Sequence, residues 1–300
     1  MVDHAIRAKY QMIPGLEFNF PEEDFYNFRS CDNKKFHTYR FPSKSPRAVM
    51  INFHGLHSYS NNHAILGKYL SEINCDFVGY DQRGHGKSYG TPALIPDLSQ
   101  LLADACKFVE EMSQLYKGLP IFLTGGSMGG ALSLAVSMEY PVLLKGVVVM
   151  NPAIAGKISC EKALSGFLSC FGKCCPRLNL VKSISRKWCK GELYDYLEEN
   201  PFNYSDKVKL GTVNTISKLM RYVRDRPLMV KCPVAIIVGL KDNIVSPKDS
   251  EVFFHKLQES DKEFWEYAKI KHAMIYHKEI YSICERIQCW VNERIERLET

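Results

Sequence analysis

Between residues 48 and 151 short apolar runs alternate with amphipathic stretches, and this rhythm constrains the fold more than any other feature of the chain. The apolar runs lie at 48–53, 75–80, 120–124 and 146–151 and are rich in Val, Ile and Phe. A strand covered on both faces reads as a nearly unbroken apolar run, so these segments predict an α/β fold with a mostly parallel sheet. Between the second and third runs, Leu98, Leu101, Leu102, Ala105, Phe108 and Val109 recur at three- and four-residue spacing, which predicts a helix with one buried face. Ahead of this core, residues 26–31 and 36–41 flank the turn-forming Asp32-Asn33-Lys34-Lys35, predicting an antiparallel hairpin at one edge of the sheet. The rhythm stops after Asn151-Pro152 and resumes with the apolar run that begins at Cys232-Pro233. The stretch between shows no obvious strand and reads as an insertion lying over the sheet. It divides the chain into core residues 1–152, an insertion at 153–231 and further core at 232–300. A helix near 248–257, a strand near 263–268 and a last helix follow, the last with Ile280, Ile283, Cys284, Ile287 and Trp290 on one side.

The 300 residues are 46% hydrophobic and 24% charged, which suits one large domain with an insertion and excludes disordered, collagen-like and coiled-coil classes. The longest apolar run falls far short of a membrane span. The first residues carry no apolar signal region, so a cytoplasmic location is expected. Eleven cysteines, an odd number, occur without an export signal and read as mostly reduced thiols. The net charge of +6 is too weak to imply a nucleic-acid partner, but it is unevenly placed. Residues 157–190 hold eight Lys and Arg against one acid, Glu161, and account for the excess.

The strongest chemical signal is Gly125-Gly126-Ser127-Met128-Gly129-Gly130, set directly after an apolar strand and directly before a helical run. A serine hydroxyl is a poor nucleophile unless a tight turn exposes its Oγ to a base, and the glycines permit such a strand-to-helix turn. An acid and then a histidine should follow on loops after later strands. Asp242 meets the first requirement and His272 the second, with His277 as a less favoured rival. An oxyanion would be held by the N–H of Met128 together with that of Leu56, which follows His54-Gly55. A metal reading of His54, His57 and His63 lacks nearby Cys or carboxylate ligands, and Cys170, Cys174, Cys175 and Cys189 lack the CxxC pair of a zinc site.

Four separated motifs occur in one order: His54-Gly55, the segment 79–88 containing Asp81, Arg83 and His85, the glycine-flanked Ser127, and the segment 239–247 containing Asp242. In these the chain resembles the α/β-hydrolase superfamily, and within it the monoacylglycerol lipase and lysophospholipase group, over about residues 20–295. The resemblance implies an eight-stranded, mostly parallel sheet with helices on both faces and a helical cap over the site. It implies Ser127 as nucleophile, His272 as general base and acid, Asp242 as its orienting partner, Leu56 and Met128 as oxyanion donors, and no metal or organic cofactor. The 81–86 loop is expected to be structural. Two positions depart from the pattern. Gly126 stands where the group commonly has His, and His277 where an acidic residue is usual.

The cap of this group supplies an acyl tunnel and can touch membranes. Here Ala163, Leu164, Phe167, Leu168 and Phe171 recur at helical spacing beside lysines and arginines, which suits peripheral contact with an anionic membrane. A cap helix packed on the sheet with its lysines in water explains the same pattern, and the neighbouring cysteines are candidates for palmitoylation. The expected activity is hydrolysis of a lipid ester through an acyl-enzyme. A broad carboxylesterase or acyl thioesterase, and a non-catalytic lipid-binding scaffold, are the alternatives.

Overall fold

A computed structural model describes residues 2–156, 175–182, 191–204 and 207–299. Its strands are β1 (Glu22–Glu23), β2 (Thr38–Phe41), β3 (Ala48–Phe53), β4 (Cys75–Tyr80), β5 (Ile121–Gly126), β6 (Leu144–Met150), β7 (Asn179–Lys182), β8 (Lys207–Lys209), β9 (Val234–Gly239) and β10 (Lys262–Tyr267). Eight of them form one sheet in the order β1-β2-β4-β3-β5-β6-β9-β10, and β7 pairs with β8 apart from it. The β1–β2 and β2–β4 pairs are antiparallel, and every later pair in the large sheet is parallel. The helices are α1 (Val2–Lys9), α2 (Ala64–Glu72), α3 (Leu98–Leu115), α4 (Met128–Glu139), α5 (Glu192–Glu199), α6 (Leu210–Arg224), α7 (Pro247–Lys256) and α8 (Ile280–Glu299).

Strand alternation sorts the core into two layers. Val49, Ile51 and Phe53 of β3 face the side covered by α3, α4, α6 and α7, where Phe108, Leu132, Leu219 and Phe253 are buried. Ala48 and Met50 face α2 and α8, where Ile65, Leu66, Ile283 and Ile287 are buried. Local chemistry sets several boundaries. Asp97 caps α3 by accepting from the Gln100 N–H at 2.8 Å, and Ser246 caps α7 with Pro247 at its first position.

From β3 the chain moves to β4 on one side, and β5 returns to the other side of β3. The loops leaving β3 and β5 therefore diverge, which opens a crevice at the carboxyl ends of the strands. That switch point is where the site lies.

Two expectations are corrected. Of the hairpin, only residues 38–41 form a strand; residues 26–31 contribute an isolated bridge at Arg29 to Lys35, and the edge partner of β2 is β1. Phe28 and Phe36 instead point into the core, each fully buried, and the turn between them is closed by few bonds: the Ser30 N–H donates to the Lys34 carbonyl at 2.9 Å, the Phe36 N–H to the Phe28 carbonyl at 3.1 Å, and the Lys34 N–H to Ser30 Oγ at 2.8 Å. The insertion, expected to be strand-free, contains the β7–β8 pair. Its later part, α6, packs Leu219 and Val223 into the same core as α3 and α4. The amphipathic stretch 163–171 and Cys170, Cys174 and Cys189 lie outside the described residues. Among the described residues no helix is long and apolar enough to cross a membrane.

Candidate active site

Ser127 sits between the end of β5 and the first residue of α4 with φ 54° and ψ −119°, a strained conformation for a residue with a Cβ. The turn is held from both sides. The Ser127 N–H donates to the Met150 carbonyl at 3.0 Å, and the Ser127 carbonyl accepts from Ala131 at 3.1 Å and Ala153 at 2.9 Å. Close approach of backbone to backbone explains the flanking glycines. A Cβ on Gly129 would lie 1.8 Å from the Phe53 carbonyl oxygen, and one on Gly125 would lie 2.5 Å from the Gly129 carbonyl.

Around that turn the structure brings together three of the residues named from sequence. Ser127 Oγ lies 2.9 Å from His272 Nε2, and His272 Nδ1 lies 2.7 Å from Asp242 Oδ2. Asp242 is fully buried, and its Oδ1 accepts from the N–H groups of Ile244 at 2.8 Å and Val245 at 3.1 Å, which fixes the carboxylate while Oδ2 faces the imidazole. The rival His277 is engaged elsewhere, its Nδ1 accepting from the Glu279 N–H at 3.3 Å. Gly55 and Leu56 border the same cavity as Ser127. Met128 opens α4, so its N–H is among the first-turn amides that helix geometry leaves without an intrahelical partner.

Asn151 was missed from sequence, where Asn151-Pro152 reads only as the end of a strand. It takes φ 42°, and its Nδ2 donates to the carbonyls of Lys271 at 3.1 Å and His272 at 3.0 Å. Its Oδ1 accepts from the Gly239 N–H at 2.8 Å. One amide thus ties the end of β6 to the end of β9 and to the backbone of His272. The sequence offered only a polar residue closing an apolar run; its positive φ and its partners are visible in the structure alone.

His54, His57 and His63 do not converge on a point. His54 is occupied at both nitrogens: the Gln82 N–H donates to Nε2 at 2.8 Å, and Nδ1 donates to the Gly55 carbonyl at 2.8 Å. His57 and His63 line the cavity. Burial, aided by His85 and Lys209, pushes His57 down to about 3; burial, aided by Arg7, pushes His63 down to about 4. Both imidazoles are neutral at pH 7. A side chain on Gly126 would begin 3.9 Å from His63 Nε2, so His63 forms the wall that the missing side chain leaves open. The 81–86 loop is engaged in structure. Asp81 accepts from the Ser60 and Lys87 N–H groups and from Tyr39, and Arg83 bridges Asp32 and Asp104. Cys31, Asp32 and Asp104 come close enough to share an ion, but both carboxylates are already paired with Arg83.

The cavity over Ser127 measures about 310 Å3. Leu56, Met150, Leu197, Val208, Ile244 and Met274 supply much of its wall, and none of its described lining residues is Asp, Glu, Lys or Arg. Such a site can bring an apolar chain to a hydroxyl, accept that hydroxyl's proton at His272 and keep water out of the chain's path.

Relatives share this framework. A monoglyceride lipase homolog of monkeypox virus is 26% identical over 267 residues, covering 85% of this chain and 93% of the relative. Mouse monoglyceride lipase is 26% identical over 289 residues, covering 92% and 93%. The crystal structure of Paleococcus ferrophilus monoacylglycerol lipase superposes with a TM-score of 0.77 at 22% identity, covering 87% of this chain and 99% of that one, and so shares the fold. The family model described as Serine aminopeptidase, S33 matches residues 44–279, a span that runs from just before β3 to the start of α8 and contains Ser127, Asp242 and His272. The protein belongs to that family and has the α/β-hydrolase fold.

Proposed function

We propose that the protein is a serine hydrolase of neutral lipid esters, with monoacylglycerol as the preferred substrate class. The observation that carries this reading is the character of the cavity: a chamber bordered by Ser127 whose described lining is uncharged and largely apolar. Three of its buried polar atoms, His57 Nε2, His63 Nδ1 and Asn203 Nδ2, have no hydrogen-bond partner among the described residues. Neutral donors and acceptors of this kind suit the hydroxyls of a polyol. Among the described lining residues a phosphate would meet no cation and a free α-amino group no carboxylate, each at a desolvation cost of several kcal/mol. The resemblance to monoglyceride lipases supports the same substrate.

In this mechanism His272 Nε2 takes the proton of Ser127 as Oγ attacks the ester carbonyl. Asp242 holds the imidazole in the required tautomer and stabilises the imidazolium. The N–H groups of Leu56 and Met128 receive the developing oxyanion. Collapse of the intermediate breaks the ester C–O bond, and His272 returns its proton to the departing alcohol. A water then attacks the acyl-Ser127 ester, with His272 again taking and returning a proton, and the fatty acid leaves. Hydrolysis rates on one acyl chain carried as monoacylglycerol and as lysophosphatidylcholine test the head group. The reading requires kcat/KM at least about 10-fold higher for the monoacylglycerol; equal or reversed rates overturn it.

A further inference from the structure

The N-terminal 20 residues lie outside the segment matched by the family model, yet they reach the wall of the chamber. Arg7 of α1 is fully buried. Its Nη1 donates to Asn62 Oδ1 at 3.2 Å and to the Tyr196 hydroxyl at 3.3 Å, and its Nη2 donates to the Phe18 carbonyl. Tyr196 in turn donates to the same Asn62 oxygen at 2.7 Å. The other end of that amide holds two further side chains: Asn62 Nδ2 donates to Ser58 Oγ and to Asn203 Oδ1, each at 2.9 Å. Ser58 and Asn203 both line the chamber, as does Leu197, the chain neighbour of Tyr196 on α5. Arg7 is therefore bonded to two residues, Asn62 and Tyr196, that hold or adjoin three lining residues of the chamber, Ser58, Asn203 and Leu197.

Around this cation the N-terminal segment is built to stay. Asp3, also buried, accepts from Tyr59 at 2.5 Å, Asn61 at 2.9 Å and Asn200 at 3.2 Å. Tyr10, Ile13 and Leu16 pack with Tyr196 and Leu197 in one apolar cluster that Tyr276, near His272, also joins. A guanidinium removed from water is expensive unless its donors are used, and here those of Nη1 and Nη2 join three separate segments of chain.

We propose that Arg7 is a positioning residue for the substrate chamber: by fixing Asn62 and Tyr196 it sets the placement of Ser58, Asn203 and Leu197, and with them the enzyme's preference for a long-chain monoacylglycerol over a minimal ester that lacks both the polyol and the long chain. This extends the reading of the chamber as a lipid-ester site and rests on it. The triad lies outside the network, so the chemical step does not depend on Arg7.

The test compares wild type with Arg7→Met, Arg7→Lys and Tyr196→Phe, measuring kcat and KM on p-nitrophenyl acetate and on a long-chain monoacylglycerol, with the rate of fluorophosphonate labelling of Ser127 alongside. In Arg7→Met, labelling and acetate hydrolysis stay within about 3-fold of wild type. Its kcat/KM on the long-chain ester falls about 10-fold or more, chiefly through KM. Arg7→Lys, which keeps a donor for Asn62 or Tyr196, recovers part of that loss. Equal losses on both esters, or an unchanged ratio between them, overturn the proposal. Should Arg7→Met fail to fold, Tyr196→Phe keeps the ring packing and loses only its hydroxyl bonds; a smaller shift in the same ratio sustains the proposal and a wild-type ratio overturns it. Wild-type protein that hydrolyses neither ester overturns the functional reading itself.

Discussion

Ser127 and its neighbours show how few side chains the chemistry needs and how many backbone contacts hold them. Because a Cβ on Gly129 would meet the Phe53 carbonyl at 1.8 Å, Gly129→Ala must push α4 away from β3. The expected result is destabilisation of at least about 3 kcal/mol, read as a shift in urea midpoint, or failure to fold. Asp242→Asn leaves that packing intact but favours the wrong tautomer of His272, so kcat should fall about 10^4-fold with little change in melting temperature. Asn151→Ala removes two donors from the His272 loop and one acceptor from β9. A loss of about 10- to 100-fold in kcat is expected, with KM nearly unchanged, because the histidine is displaced and the chamber is not. Ser127, Asp242 and His272 were legible because each follows an apolar strand in a fixed order. Asn151 and His63 were not, since the role of each comes from partners distant in sequence: Asn151 bonds a carbonyl 121 residues away, and His63 fills space opposite a glycine.

At the scale of elements, the loop between β3 and α2, together with the 81–86 loop after β4, concentrates buried imidazoles. Burial lowers His63 and His85 to about 4 and His57 to about 3, and it lowers His54 as well, from an ordinary value of 6.5. Between pH 6.5 and 4 the unfolded chain therefore binds more protons at these sites than the folded one, and stability falls as pH falls. Asp81, raised by burial from 3.8 to about 6, works in the opposite sense over that narrower range. Four groups outweigh one, so the urea midpoint should drop steeply from pH 6.5 to 4, and His85→Gln should flatten the drop by about one proton; a midpoint independent of pH in this window contradicts the burial of these rings. The parallel strands and the one-sided helices α3 and α8 could be read directly from apolar runs and spacing. The hairpin was misread because Phe28 and Phe36 look like strand residues yet serve the core, packing edge to face with centroids 5.8 Å apart. Helix α1 gave no sequence signal of its own, because what orders it is a buried polar network with α5 and the β3 loop.

For the whole molecule, the topological switch between β3 and β5 places Ser127 at the floor of a chamber whose wall includes Leu197, Asn203 and Val208, with the N-terminal segment packed behind Leu197. If apolar burial drives binding there, each added acyl methylene contributes up to about 0.8 kcal/mol, or about 4-fold in kcat/KM, until the chamber is full. A series of monoacylglycerols of increasing length should therefore show a rising limb and then a plateau, whereas a flat series from the shortest chain contradicts an acyl chamber. The central claim is that Ser127, His272 and Asp242 act as one hydrolytic unit on a lipid ester. Its most direct test is fluorophosphonate labelling of wild type, Ser127→Ala and His272→Ala, with monoacylglycerol hydrolysis followed on the same samples. The account requires rapid labelling and turnover of wild type, loss of labelling in Ser127→Ala, and a fall of about 10^4-fold or more in turnover for both variants. Folded wild-type protein that neither labels nor turns over, or turnover that survives Ser127→Ala, would contradict it.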